Sequence, residues 1–143
     1  MALTVFVVPT NHVQQFWHLA EEHLQRAIEK SNNEYTIDQL KLSVVNGEQI
    51  LLIALDDNKK CKSALVGKWH IYPNDRVFYI SYIGGRNTKE PWSQFVTWVK
   101  ESGGTAIHGS TKFESIVKLW DKFYGFKPKY TLMELKLNTE LKL

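Results

Sequence analysis

The sequence predicts an α+β protein, arranged as an α/β sandwich around a mixed sheet, with the element order β-α-α-β-β-β-α-β-α-β. A long amphipathic helical pattern follows a short first strand, and three extended runs then come in succession with only short turns between them. Beyond Gly84-Gly85 helical and extended segments alternate, as in crossover connections between parallel strands. With 143 residues the chain has the length of one domain, so we predict a single domain over residues 1–143.

The first strand and the first helix are predicted within the opening thirty residues. The apolar run from Leu3 to Val8 predicts a strand, which Pro9 closes. Between residues 12 and 29 apolar side chains recur every three or four positions, with Gln and Glu on the other side, and this spacing predicts a long helix. Thr10 or Asn11 can cap its first turn.

A second, shorter helix is predicted after the polar break at residues 31–33. Thr36 and Gln39 have the spacing of a capping box, and Gly47 can end the helix. The alternating apolar residues within 40–44 also permit a strand, so both interpretations stay open at this point.

Three consecutive strands are predicted next, over residues 50–55, 62–72 and 76–83. Short polar turns separate them, so we expect an antiparallel meander. The remaining elements follow in order: a helix with Pro91 in its first turn, a strand over residues 105–109, a helix over 113–123 and a last strand over 130–137. Gly103-Gly104 and Gly125 are expected to end the two helices.

Composition argues against several classes of protein. The net charge of +3 permits an anionic ligand, but no Lys/Arg run approaches a polybasic patch, so a nucleic-acid partner is not expected. Cys61 is the single cysteine, which rules out an intrachain disulfide and favours a reducing compartment, the cytoplasm. No signal peptide is evident, and no apolar run approaches the roughly 18 residues of a membrane span. The five histidines lack zinc-ligand spacing, so no metal site is expected.

Two stretches of the chain resemble a known family. One is the strand, Gly-Gly-Arg-Asn and helix passage from Ile83 to Glu90, and the other is the aromatic-rich run from Leu119 to Pro128, which closes in Gly-Phe. Together with the element order they resemble the GNAT superfamily of acetyl-CoA-dependent N-acetyltransferases over nearly the whole chain. They are most similar to small GNAT-like proteins of phages and prophages. The resemblance implies that the fourth strand splays from the fifth and that acetyl-CoA binds between them as co-substrate.

The resemblance also implies a site for the CoA pyrophosphate where the fourth strand meets the next helix. Glycines let the backbone approach an anion closely, and the start of a helix offers unpaired N–H groups. The residues implied are Ile83, Gly84, Gly85, Arg86, Asn87 and Thr88. Arg86 could hold a phosphate through two N–H groups. A plain strand-to-helix turn is the alternative explanation of the glycine pair.

Three side chains are candidates for acid–base chemistry. In the family a Tyr four residues before the closing Gly often returns a proton to the CoA thiolate. This chain has Asp121 at that spacing, and Tyr124, directly before the glycine, is the candidate acid. His70 and His108, on the third and fifth strands, are candidates for the base because imidazole titrates near neutral pH. Core packing of the tyrosine and ordinary hydrogen bonding of the histidines are the alternatives.

The predicted function is direct transfer of an acetyl group from acetyl-CoA to an amine, with a backbone amide of the fourth strand polarising the thioester carbonyl. The alternative is a catalytically inactive GNAT-shaped module that binds a phage or host protein. Departures from the family pattern favour the alternative: the glycines precede Arg86, and the stretch 110–113 lacks the family's Asn. The acceptor amine, the protein partner and the oligomeric state stay open. A phage-encoded chain would act in the host cytoplasm.

Overall fold

A five-stranded mixed sheet with helices on both faces organises the first part of the protein. The computed structural model describes residues 2–86 and 89–137. The chain divides into two units, Met1–Ser110 and Thr111–Leu143. The first unit contains β1 (Thr4–Val8), α1 (Val13–Glu29), α2 (Ile37–Val45), β2 (Ile50–Leu55), β3 (Cys61–Ile71), β4 (Arg76–Gly85), α3 (Lys89–Glu101) and β5 (Ala106–Gly109). In the second unit α4 spans Glu114–Tyr124.

The sheet has the strand order β1-β2-β3-β4-β5. The first three pairings are antiparallel, and β4 pairs with β5 in parallel after the crossover through α3. The predicted α+β class, the meander of the second to fourth strands and the parallel crossover are therefore confirmed.

Two apolar clusters fill the two faces of this sheet. On one face α1 and α2 pack on the sheet through Val13, Trp17, Leu24, Leu40, Val44, Leu51, Ile53, Val66 and Tyr82. On the other face α3 packs through Leu52, Leu65, Phe78, Ile80, Phe95 and Val99. Successive strand residues point to opposite faces, so the continuous apolar run of β2 supplies both clusters.

The predicted boundaries of the first two helices are close to the observed ones. The capping box of α2 is confirmed, with Gln39 N–H donating to Thr36 Oγ1 and Thr36 N–H donating to Gln39 Oε1. Residues 40–44 lie within α2, so the strand alternative for them is wrong. Gly47 follows the helix with a φ of +79°. The predicted cap of α1 is also wrong, because the chain makes a 3-10 turn over residues 10–12 and no side chain caps the helix.

The predicted last strand over residues 130–137 is wrong. Residues 125–137 have no regular secondary structure, and large apolar side chains such as Leu132 and Leu135 are about 85% exposed. An alternating pattern shows which residues could share a face of a strand, but a strand also needs a partner ladder of backbone hydrogen bonds. The prediction that Gly125 ends the preceding helix is confirmed, since this residue follows α4 with a φ of +76°.

Candidate functional site

The strand β5 is short and pairs only with the first half of β4. Their parallel pairing covers Val77–Ile80 on β4 and Ala106–Gly109 on β5, whereas β4 continues to Gly85. In the part of the chain that the structure describes, no strand pairs with residues 81–85 on that side. We call the space beside residues 81–85 the β4–β5 cleft. Because β5 is paired with β4 along its whole length and ends at Gly109, the splay that the resemblance implied stays a prediction.

A β-bulge lies where the cleft begins. Val66 of β3 pairs with Tyr82, but the next β3 residue, Gly67, pairs with Ile80, so Ser81 is an extra residue in β4. The bulge changes which face the later side chains occupy. Ile80 packs on the α3 side of the sheet, and Tyr82 packs on the α1 side although it lies two residues later.

A buried chain of hydrogen bonds ties the bulge to α2. The Ser81 hydroxyl donates to Gln49 Oε1, and Gln49 Nε2 donates to Ser43 Oγ at 3.0 Å. Ser43 in turn donates to the Leu40 carbonyl at 2.7 Å. Gln49 is only 3% exposed, so its amide depends on these partners. Sequence reasoning missed Gln49, because a single Gln before an apolar run carries no pattern.

Four side chains form a cross-strand row beside the bulge. Tyr79 of β4 is paired with Lys68 of β3 on one side and with His108 of β5 on the other, so these three point to the same face. His70, two residues along β3, stacks on the Tyr79 ring at 5.2 Å between centroids. The Tyr79 hydroxyl lies 2.6 Å from Ser110 Oγ. The two histidines predicted as base candidates are thus brought to one site.

The surroundings of His70 favour its neutral form. Partial burial lowers the pKa of His70 below its ordinary value of 6.5, and the nearby charges of Lys68 and His108 lower it further. A neutral imidazole at neutral pH can accept a proton, which a general base must do.

The glycine pair at the end of β4 has a packing role. A Cβ on Gly84 would lie 2.2 Å from the His23 carbonyl oxygen, so only glycine lets α1 cross the strand this closely. Both glycines belong to β4 and do not form a strand-to-helix turn. The Arg86 N–H donates to the Lys62 carbonyl at 2.7 Å, so this amide is used by the protein itself. Asn87 and Thr88 lie outside the described residues.

A groove of about 580 Å³ opens at this end of β4. Its lining residues are His23, Arg26, Ala27, Lys30, Lys62, Ile83, Gly84, Gly85 and Arg86. We call it the basic groove, because four of these residues are Lys or Arg and none is acidic.

Two of the cations of the basic groove are already paired. Arg26 is bonded to Glu22, and Lys62 lies 3.8 Å from Asp56. Lys30 and Arg86 make no ion pair with any residue in 2–86 or 89–137. Arg86 was predicted as a phosphate ligand, and sequence reasoning missed the three other cations. Arg26 and Lys30 are one turn apart on α1, and that spacing was the available signal.

His23 lies in the wall of the same groove. Its Nε2 donates to the Cys61 carbonyl at 2.9 Å. Nδ1 is buried and has no hydrogen-bond partner among the described residues. Burial also raises the pKa of the Cys61 thiol, so its lysine neighbours in sequence do not activate it.

The candidate acid Tyr124 belongs to the second unit. It is the last residue of α4, it is half-buried, and burial raises its pKa above the ordinary value of 10.0. The phenol is therefore protonated at neutral pH, as an acid must be. In the same unit Asp121 pairs with Lys127. Whether Tyr124 acts as the acid stays a prediction.

Within 2–86 and 89–137, no three His, Cys, Asp or Glu side chains cluster closely enough to hold a metal ion. Over the same two ranges, none of the helices combines the length and the apolar character that a membrane crossing requires.

No family model matches the chain, and no curated protein matches its sequence. Solved structures do match its fold. An aminoglycoside acetyltransferase from an uncultured soil metagenomic sample, in complex with sisomicin, has a TM-score of 0.67 at 12% identity, over 95% of this chain and 97% of its own. The aminoglycoside 6'-N-acetyltransferase of Acinetobacter baumannii has a TM-score of 0.62 at 12% identity, over 97% and 100%.

A third similar structure contains the co-substrate that the sequence suggested. It is a predicted acetyltransferase from Clostridium acetobutylicum with acetyl-CoA, with a TM-score of 0.61 at 15% identity, over 94% of this chain and 96% of its own. At such identities the likeness establishes the fold alone. This chain has the fold of GNAT-type acetyltransferases.

Proposed function

We propose that the protein is an acetyltransferase that uses acetyl-CoA as co-substrate and an amine as acceptor. The observation that carries the proposal is the β4–β5 cleft, which runs from the bulge at Ser81 to the basic groove at Gly85. The acetyltransferase folds that this chain resembles, one of them with bound acetyl-CoA, support it. We further propose that the protein acts in the cytoplasm and, given its resemblance to phage and prophage GNAT-like proteins, that it is phage-encoded.

The basic groove is the proposed site for the phosphates of CoA. Lys30 and Arg86 carry charges that no described carboxylate neutralises, so an anion there would gain charge-assisted hydrogen bonds. Because the Arg86 N–H is used in the sheet, we propose that its side chain, and not its amide, contacts a phosphate. Ile83, Gly84 and Gly85 would line the path, and Asn87 and Thr88, outside the described residues, stay predicted members of this site.

The bulge is the proposed site of the chemistry. Ser81 lies four residues before Gly85, about 13 Å along an extended strand, so a long arm could run between the two ends. In the reaction the amine nitrogen forms a bond to the thioester carbonyl carbon, the C–S bond breaks, and the amine loses a proton while the thiolate gains one. His70 or His108 would accept the proton from the amine. Tyr124 would return a proton to the thiolate.

Calorimetric titration with acetyl-CoA and with CoA tests this function. We expect micromolar binding of both. Arg86→Ala should weaken it at least tenfold, which is about 1.4 kcal/mol and typical of a lost charge-assisted contact to phosphate. Lys100→Ala, an exposed lysine on α3 outside the basic groove, is the matched control and should leave binding unchanged. Absence of binding at millimolar ligand would overturn the proposal.

The second candidate function is a catalytically inactive module that binds a phage or host protein. The hydrogen bond from Arg86 N–H to Lys62 favours it, because a CoA pyrophosphate would find that amide already used. Under this alternative the protein would neither bind acetyl-CoA nor release CoA thiol with any amine. The same titration therefore separates the two candidates.

A further inference from the structure

The cross-strand row lies close to the bulge where the chemistry is proposed. Tyr79 is two residues before Ser81, which corresponds to about 7 Å along the strand. Lys68 and His108 flank Tyr79 on the neighbouring strands, each about 4.8 Å away between backbones. A small molecule that reached Ser81 from this face would therefore meet all three side chains.

The charged groups that act on His70 are cationic. Lys68 makes no ion pair with any residue in the described ranges. The two charges that perturb His70 come from Lys68 and His108, and no carboxylate contributes. On this face the sheet positions around the row are Lys68, His70, Val77, Tyr79, Ala106 and His108.

Two acidic residues of the first unit, Glu48 and Asp75, lie on turns. Glu48 is exposed on the turn before Gln49. Asp75 lies on the turn between β3 and β4, where its Oδ1 accepts a hydrogen bond from the Thr105 hydroxyl at 3.0 Å. Neither residue occupies a sheet position of the row, and Lys68 makes no ion pair within the described residues.

We propose that the acceptor is a small amine that also carries a carboxylate, bound with the carboxylate at Lys68 and the amine towards Ser81. The proposal rests on the proposed acetyltransferase function. A carboxylate beside Lys68 gains a charge-assisted hydrogen bond, and the two imidazoles and the Tyr79 ring offer further donors and a flat surface. A polycationic amine such as an aminoglycoside would be repelled by the same lysine.

The test is an NMR titration of the histidine ring resonances of the full chain. The probes are α-amino acids, each paired with its own carboxamide, so that the two members of a pair differ only in the carboxylate. We expect at least one amino acid to shift the His70 and His108 resonances with a Kd at least tenfold lower than that of its amide. A tenfold preference corresponds to about 1.4 kcal/mol, within the range of one hydrogen bond to a charged group.

Variants assign the preference to Lys68. Lys68→Met keeps the apolar length of the side chain and removes its charge, so it should raise the Kd of the amino acid about tenfold and leave that of the amide within about twofold. Lys100→Met removes the same charge from an exposed site on α3 and should change neither value. Equal binding of acid and amide, or no effect of Lys68→Met, would overturn the inference.

Acetyl-CoA calorimetry on the same samples separates this inference from the proposed function. If acetyl-CoA binds and no amino acid does, the inference fails and the function stands. If an amino acid binds through Lys68 and acetyl-CoA does not, the carboxylate site is supported and the acetyltransferase proposal fails. Faster acetylation of an aminoglycoside than of every amino acid tested would also overturn the inference.

Discussion

At the scale of single residues, glycines decide how closely the backbone elements of this protein approach one another. Gly84 lies under the backbone of α1, and Gly67 lies against the ring of Phe78, where a Cβ would come within 2.4 Å. Phe78 itself is fully buried and cannot move aside without opening a cavity. These two glycines therefore serve packing, whatever ligand the protein binds.

Gly84→Ala should destabilise the protein by about 3 kcal/mol, the upper end of overpacking costs, because the new methyl group would collide with backbone of α1. Gly47→Ala is the matched control. Its φ is positive but the nearest atom is 3.7 Å away, so it should cost only about 1 kcal/mol for the left-handed backbone. Urea unfolding of both variants measures the difference, and equal losses would contradict the packing explanation.

His70 should make the stability of the protein depend on pH. Its folded-state pKa is lowered relative to the ordinary 6.5 of the unfolded chain, so the stabilisation is present above pH 6.5 and is lost as the pH falls through the folded pKa. His70→Gln should flatten this loss in urea unfolding measured between pH 8 and pH 5. His18→Gln, on the exposed side of α1, should keep the wild-type profile.

At the scale of elements, a side chain of α3 completes the outer edge of the sheet. Gln94 Oε1 accepts the Val5 N–H at 2.8 Å, and Gln94 Nε2 donates to the Leu3 carbonyl at 2.7 Å. Strand β1 is an edge strand, and such unpaired backbone groups otherwise invite pairing with another chain. The side-chain amide of Gln94 thus makes hydrogen bonds that a neighbouring strand would otherwise make with β1 and the residue before it.

Gln94→Ala should destabilise the protein by about 2 kcal/mol, because two part-buried backbone groups of β1 lose their partners. The Val5 amide should also exchange with solvent at least tenfold faster. Gln25→Ala on α1 removes an exposed amide of the same size and should stay within about 0.5 kcal/mol of wild type. Unchanged exchange at Val5 would argue against the role of Gln94.

At the scale of the whole molecule, both apolar clusters are built from the first unit. Their buried members, among the described residues, run from Val8 to Val99. Over the described residues, the last strand of the sheet likewise ends at Gly109. The predicted single domain over residues 1–143 stays a prediction, and the position of the core suggests how to test it.

A chain that ends at Ser110 should still fold, since it keeps both clusters and all five strands. We expect a cooperative urea transition and near-ultraviolet circular dichroism from the aromatic cluster around Phe78 and Trp98. Loss of the cooperative transition would show that residues 111–143 belong to the same folding unit, as the sequence predicted.

Sequence reasoning was most successful where local chemistry decides the structure. The apolar spacing over residues 12–29, the capping box at Thr36 and the stop at Gly125 each depend on nearby residues, and each was confirmed. The strand over residues 130–137 failed because a ladder depends on a partner that alternation does not specify.

The candidate site was predictable only in part, because its residues come together through the pairing register of neighbouring strands. His70 and His108 were singled out for their chemistry, but only the pairing of Tyr79 with residues on two neighbouring strands brings them together. The bulge at Ser81 and the hydrogen bonds of the buried Gln49 depend on the same pairing, and no pattern in the sequence predicts either.

The extra residue in β4 makes this strand sensitive to changes in length. Removing Ser81 would turn Tyr82 away from α1 and Ile83 away from α3. Each apolar cluster would then lose one of the side chains packed in it. Substituting the same residue would remove its hydrogen bond to the buried Gln49 but would leave the register of β4 unchanged. Deleting Ser81 would therefore move the side chains of residues 82–85 to the opposite faces of the sheet, whereas substituting it would leave them on their present faces.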